Sequence, residues 1–283
     1  MRKTRKEREL LEIYGLDHSP WVQSVLLCLY FNKINYNIRT IPTVGLLIKS
    51  GVMMPALRIE NSQWKLDSMN ILQTLGCDSI SSSERKLIFK TWRGVQHRAD
   101  NPFKFFYSFS LCKGFYRNKL INLFYHACRP LISIYFLILL NIIKIKLKKI
   151  DTKENFIDQY VYWNNRLSNQ DTNFFGGDTL NIIDYQLFGI IQSHCSIPYY
   201  PLIKTLQKNE ELVYLRKWIS NMHIKFAHYP HLYSAEYFNP KQKIIQKSTF
   251  LERAAYWSGL MTMFVILPFT IILILYFFIK REP

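Results

Sequence analysis

Two short stretches of this chain set a hydroxyl or a carboxylate where a helix should begin. Ser19 stands directly ahead of Pro20-Trp21-Val22 and an apolar run, and Asp67-Ser68 open a second run that reaches Leu75. The first turn of a helix has N–H groups without intrahelical partners and carries the positive end of the helix dipole, so it attracts an anion. A serine hydroxyl set there donates a further hydrogen bond to the charged form. The same residues serve equally as plain N-caps, worth about 1 kcal/mol each, and the sequence alone leaves both readings open. Metal chemistry is not indicated. The five cysteines (Cys28, Cys77, Cys112, Cys128, Cys195) are scattered, with no C-x-x-C and no Cys/His cluster at zinc spacing, and they read as reduced thiols.

The elements that must position these groups follow from periodicity. Residues 10–15 form a short apolar run ended by a glycine, a first strand. Val22, Val25, Leu26 and Leu29 recur at helical spacing, which gives a helix with one buried face, capped by Ser19 and opened by Pro20. Residues 36–41 alternate and stop at Pro42, a second strand, and 43–50 form a loose helical stretch. Residues 55–59 and 63–66 are two strands joined at Glu60-Asn61-Ser62, followed by the short helix from Asp67-Ser68. The order is βαβαββα. After a polar break at 81–84, every periodic segment reads as helix, over 84–108, 115–128, 130–148, 153–168, 181–195 and 209–226. Asn181 and Asp184 have the spacing of a capping box and are assigned wholly to folding.

Composition supplies the rest. With 283 residues and 49% hydrophobic content the chain has enough apolar surface for a large core. Its formal charge of +17 suits an acidic partner, nucleic acid or anionic lipid. No DNA or RNA motif is present, so nucleic acid is not expected. Residues 260–279 carry no charge, and a helix of that length rises roughly 30 Å, the thickness of a bilayer's hydrocarbon core. The expectation is a single-pass anchor at 257–280 in a lipid bilayer, preceded by a basic linker at 240–256, with Tyr256 and Trp257 in an aromatic belt. The charge distribution then keeps the folded part in the cytoplasm, and the basic, apolar-poor start is no secretory signal. A second apolar run, 130–143, is short for a span. It reads as a buried bundle helix ahead of an interfacial one.

Four matches, in order, resemble the glutathione transferase family. They are Ser19-Pro20-Trp21-Val22 ahead of the first helix, Met53-Met54-Pro55-Ala56-Leu57 before the third strand, Leu66-Asp67-Ser68 with Ile71-Leu72 at the last helix, and Phe175-Gly176-Gly177-Asp178 followed by Asn181 to Asp184. The resemblance covers roughly 10–76 and 160–195. It implies a thioredoxin-like α/β domain at 8–78, followed by an all-α helical bundle domain at 84–239, with the single C-terminal transmembrane helix as an addition.

By the same resemblance, Ser19 is the catalytic residue, its hydroxyl donating to the thiolate of glutathione, with Tyr14 or His18 as alternative donors. Tyr14 otherwise reads as a core residue and His18 as an exposed loop residue. Met54, ahead of a cis Pro55, would pair with the peptide part of glutathione, and Asp67 and Ser68 would hold its γ-glutamyl ammonium and carboxylate. The implied activity is conjugation of glutathione, as co-substrate, to an apolar electrophile, with no metal; family members commonly form homodimers. The alternative is a non-catalytic adaptor on the same scaffold at a membrane surface, as in metaxin-like proteins. The chain departs from the family pattern in having Met54 where valine is usual, and in basic residues where an apolar electrophile wall would stand. The absence of cysteine at position 19 argues against disulfide reduction of the glutaredoxin type.

Overall fold

Four short strands pair into one mixed sheet in the computed structural model, which describes residues 11–40, 42–46, 53–60, 62–92, 101–112, 118–147, 156–170, 172–239 and 247–279. Strands β1 (Leu11–Tyr14), β2 (Tyr36–Arg39), β3 (Ala56–Ile59) and β4 (Lys65–Leu66) stand in the order β2-β1-β3-β4. β1 runs parallel to β2, with Leu11 opposite Tyr36, and antiparallel to β3, with Tyr14 opposite Ala56. Parallel strands need a crossover, and helix α1 (Pro20–Phe31) supplies it. Glu12 ties three strands together by accepting from Arg39 on β2 and Arg58 on β3. Burial opposes the Glu12 charge, but the two guanidiniums win and hold its carboxyl below the ordinary range.

The chain divides into two compact units, 1–94 with 154–245, and 95–153 with 246–283. The first holds the sheet, α1, α2 (Ser68–Thr74) and α3 (Ser82–Thr91). Later in the chain it adds α7 (Phe156–Gln170), α8 (Ile182–Ser196), α9 (Tyr200–Lys208), α10 (Val213–Lys225) and the short α11 (Ala235–Phe238). Every residue of α8 is buried, and its contact with α1 is the most extensive between any two helices. For this reason α1 is buried almost all round, from Pro20 through Leu29, rather than on one face: α2 and α8 both pack on it. The capping box at the start of α8 forms as expected, with the Asn181 side chain accepting from the Asp184 N–H (3.1 Å) and the Asp184 carboxylate from the Asn181 N–H (3.0 Å). Of the loose helix at 43–50, residues 44–46 are helical and the remainder lies outside the described residues.

The second unit holds α4 (Pro102–Ser110), α5 (Lys119–Cys128), α6 (Pro130–Leu147) and α12 (Phe250–Ile279). The expected helix over 84–108 is thus two, one in each unit, and Pro102 opens the second. On α6 only part of the apolar run is buried: Ser133 and Leu140 face inward, while Leu131, Ile138 and Ile142 are exposed. A fully buried bundle helix is therefore not what the run forms.

The C-terminal expectation needs correction. Helix α12 starts at Phe250, ten residues before the uncharged run, and its first turns belong to the core of this unit. Tyr256 is 0% exposed and donates to Ser133 Oγ (2.8 Å), so it is a core residue and not part of an interfacial belt. Glu252 is buried and accepts from Asn122 of α5, and a Cβ on Gly259 would lie 1.9 Å from the Ala127 carbonyl oxygen, so α12 crosses α5 backbone to backbone. Among the described residues, the stretch long and apolar enough to cross a membrane is Lys119–Ile142, in mid-chain, with 33% of it buried. The single-pass C-terminal anchor, and with it the placement of all preceding residues in the cytoplasm, is withdrawn. An apolar run shows how a segment is composed; it does not show that the run continues a helix already packed in a bundle.

Candidate functional site

Ser19 is the N-cap of α1, with extended backbone (φ −76°, ψ 130°) and 4% exposure. Its N–H donates to the Leu16 carbonyl (2.9 Å) and its carbonyl accepts from the Gln23 N–H (2.9 Å), while its hydroxyl makes no capping hydrogen bond. The hydroxyl is therefore not committed to the helix it opens. Pro20, at the first helical position, has no N–H to be satisfied.

The Met54-Pro55 peptide bond is cis and leads directly into β3. The Leu16 N–H points to Met54 Sδ at 3.5 Å, which brings this segment against the turn that ends in Ser19. Asp67 caps α2 at φ 71°, ψ 121°, a positive φ outside the left-handed helical region. Its Oδ1 accepts from the N–H groups of Met69 (2.9 Å) and Asn70 (3.3 Å), and Oδ2 accepts from Arg85. A carboxylate has about four acceptor sites, so the three bonds leave one open. The buried Ser68 hydroxyl accepts from Gln186 Nε2 at 3.0 Å. Because Gln186 is the donor there, the Ser68 hydrogen stays available to donate to something else.

One face of α8 holds both helix starts. Gln186, Gly189 and Ser193, spaced three and four apart, meet Ser68, Pro20 and His18 in turn. A Cβ on Gly189 would stand 2.5 Å from the Pro20 carbonyl oxygen, so only glycine lets α8 approach α1 this closely. The two alternative donors are both inside. Tyr14 packs with Leu46 and Ala56, as its place on the strand indicates. His18, expected in an exposed loop, is only 3% exposed, because its carbonyl accepts from Ser193 Oγ (2.6 Å) and its ring lies 5.7 Å from that of Tyr233.

Comparison with known proteins gives a similarity of arrangement. The chain is similar to a possible glutathione S-transferase from Rhodopseudomonas palustris (14% identity, 76% of this chain and 95% of that one, TM-score 0.43). It is also similar to the theta class glutathione S-transferase of Xanthomonas axonopodis pv. citri with glutathione bound (14%, 82% and 98%, TM-score 0.42). A third similar structure is glutaredoxin 2 of Salmonella typhimurium in complex with glutathione (13%, 81% and 99%, TM-score 0.44). No family model matches the sequence, and no curated protein matches it.

Beside Ser19 lies a buried polar cluster that the sequence reading missed. Asp17 accepts from His231 Nδ1 (3.0 Å) and from the Tyr233 hydroxyl, and its carbonyl accepts from Gln23 Nε2 (2.5 Å). Gln23 in turn accepts from the Tyr229 hydroxyl (2.9 Å). Burial works against the Asp17 charge, but His18, His231 and Tyr233 together hold its carboxyl well below the ordinary range. This fixes an anion two residues before the cap and pins the β1–α1 turn to the segment after α10. The one available signal was an acid in the short turn between the first strand and α1. No comparable signal marked Gln186, since its helix also carries Asp184, Gln192, Ser193 and His194. A cavity of about 30 Å³, lined in part by Leu167, Trp218 and Asn221, includes none of the candidate residues. Among the described residues, no group of three or more His, Cys, Asp or Glu side chains could hold a metal ion.

Proposed function

We propose that this chain is a glutathione transferase-like protein that binds glutathione across the start of α1, the Met54-Pro55 segment and the start of α2. The observation that carries the reading is the state of Ser19: a serine at a helix N-terminus whose hydroxyl is not used as a cap. Ser19 then donates to the glutathione sulfur, and with the helix dipole it raises the thiolate fraction. The thiolate attacks an electrophilic carbon of an apolar substrate; the C–S bond forms as the bond from that carbon to its leaving group breaks, the leaving group departs with the electron pair, and the thiol proton passes to solvent. Ser68, with its free hydrogen, takes the γ-glutamyl carboxylate, and the open acceptor site of Asp67 takes the ammonium. The ligand class comes from the sequence resemblance, and glutathione is also bound in two of the similar structures.

Calorimetric titration of glutathione into the full chain tests the reading. Binding that weakens tenfold or more in Ser68→Ala supports it, since a hydrogen bond to a charged group is worth about 1.5–3 kcal/mol. A folded chain that takes up no glutathione sinks it. With a broad electrophile substrate, Ser19→Ala should lose most of kcat while its KM for glutathione changes little.

One observation favours a second reading, a non-catalytic scaffold. The second unit exposes Phe103, Leu120, Phe124, Leu131 and Ile145, an apolar exterior of the kind that engages a partner. Under that reading, glutathione binding and Ser19→Ala have no bearing on the protein's activity.

A further inference from the structure

The five cysteines are scattered in sequence, yet two of them meet in the fold. Cys28 Sγ on α1 and Cys77 Sγ, just past the end of α2, lie 3.7 Å apart across 49 residues of chain. Both are free thiols within the first unit, Cys28 buried and Cys77 half-buried. Their closeness is held from both sides. Cys28 sits on the fully packed stretch of α1, and its sulfur receives a contact from Asn32 Nδ2 (3.4 Å). Cys77 is fixed by its N–H donating to the Leu72 carbonyl (3.0 Å), while Gly76, at φ 93°, makes the turn that delivers it. A disulfide needs sulfurs at about 2.05 Å, so closure requires a shift of roughly 1.6 Å, within reach of a small side-chain rotation.

We propose that Cys28 and Cys77 are a redox-active pair that closes to an intramolecular disulfide on reaction with a hydroperoxide. Cys77, which solvent reaches, attacks the peroxide oxygen; the O–O bond breaks, the alcohol leaves, and Cys77 becomes a sulfenic acid. The Cys28 sulfur then attacks the Cys77 sulfur, the S–O bond breaks, and water leaves with the Cys28 proton. Two thiols and one hydroperoxide thus yield one disulfide, one alcohol and one water. Either thiol can donate to the other, and exposure assigns the attacking role to Cys77, because Cys28 is buried and a peroxide reaches only the half-buried Cys77. The bond would staple the last turn of α1 to the exit of α2, the two helices whose starts carry Ser19, Asp67 and Ser68. The inference is independent of what binds at those starts.

The test treats the reduced full chain with hydrogen peroxide, blocks remaining thiols with N-ethylmaleimide, and maps the digested peptides by mass spectrometry without reductant. The expected result is a linked peptide pair containing Cys28 and Cys77, with the exposed Cys128 as the reference for general oxidation. The unfolding midpoint of the oxidised wild type should rise by about 10 °C, as chain-entropy reasoning gives for a loop of this size, and Cys77→Ser should show no rise. Recovery of Cys28 and Cys77 both as maleimide adducts overturns the proposal. So does Cys77 carried on to sulfinic acid while Cys28 stays free, since a working pair would resolve first.

Discussion

Replacing Gln186 by methionine separates the candidate site from the core that holds it. Gln186 is fully buried; its Nε2 donates to Ser68 Oγ at 3.0 Å, and its Oε1 finds no partner. Methionine removes a neutral hydrogen bond worth about 1 kcal/mol, but it also removes a buried acceptor without a partner, which carries a penalty of about 1–3 kcal/mol. Volume changes little, and methionine adapts to an irregular site. The two effects offset each other, so folding stability should stay within about 1 kcal/mol of wild type. Ligand binding has no such offset. Without the amide donor the Ser68 hydroxyl turns freely, and losing its orientation should weaken glutathione by about fivefold, the equivalent of one neutral hydrogen bond. Ser68→Ala is the contrast: it weakens binding more and also strands Gln186 Nε2, so it loses stability as well. Urea unfolding and calorimetry on both variants read the two effects separately. The reasoning is refuted if Gln186→Met loses as much stability as Ser68→Ala while its glutathione affinity is unmoved.

Asp184 accepts from the N–H groups of Phe175 (3.0 Å), Gly176 (3.1 Å) and Asn181 (3.0 Å) and from Trp218 Nε1 (2.8 Å), so Asp184→Ala should lose at least about 4 kcal/mol. An unchanged urea midpoint would contradict that accounting. Burial draws the His223 imidazole from 6.5 down to about 4, so folding disfavours its charged form; its contribution is intact above pH 6.5 and is lost as pH falls toward 4, by about 2 kcal/mol at pH 5. Burial pushes Asp184 up to about 6, which acts in the opposite sense, so the readout is the difference in acid sensitivity between wild type and His223→Gln, which should be the less sensitive. Gly189→Ala gains about 1 kcal/mol of helix propensity but drives a methyl to within 2.5 Å of the Pro20 carbonyl, so the melting midpoint should fall; a rise would mean that α8 can back away from α1.

What the sequence disclosed was local. The Asn181–Asp184 box, the proline at the start of α1, and the strands around Met54-Pro55 depend on neighbours within a few residues, and the periodicity of the chain displays them. What it concealed depends on partners far along the chain. His18 is buried because Ser193 reaches its carbonyl across 175 residues. The all-round burial of α1 comes from α8, and the core role of Tyr256 comes from Ser133. The 260–279 run was legible as apolar, but its continuity with a packed helix from Phe250 was not. The Asp17 cluster and the Cys28–Cys77 contact are of the same kind, since each joins residues that no local pattern links.

The candidate site is unusual in how little of it is free to rearrange. Asp67 is held by two helix N–H groups and Arg85, Ser68 by Gln186, and the Leu16–Ser19 turn by Met54, by Gln23 and, through His18, by Ser193. Such pairing looks at first like a set of structural caps with no capacity left over. Valence says otherwise. Ser68 accepts but does not donate to Gln186, Asp67 retains one acceptor site, and the Ser19 hydroxyl makes no capping bond. The spare capacity is two hydroxyl donors and one carboxylate acceptor, set at the starts of two helices whose dipoles favour an anion. Under the proposed function, these groups are the ones that would meet the thiol, the carboxylate and the ammonium of the ligand. α8, by fixing both helix starts from one face, keeps these groups in register.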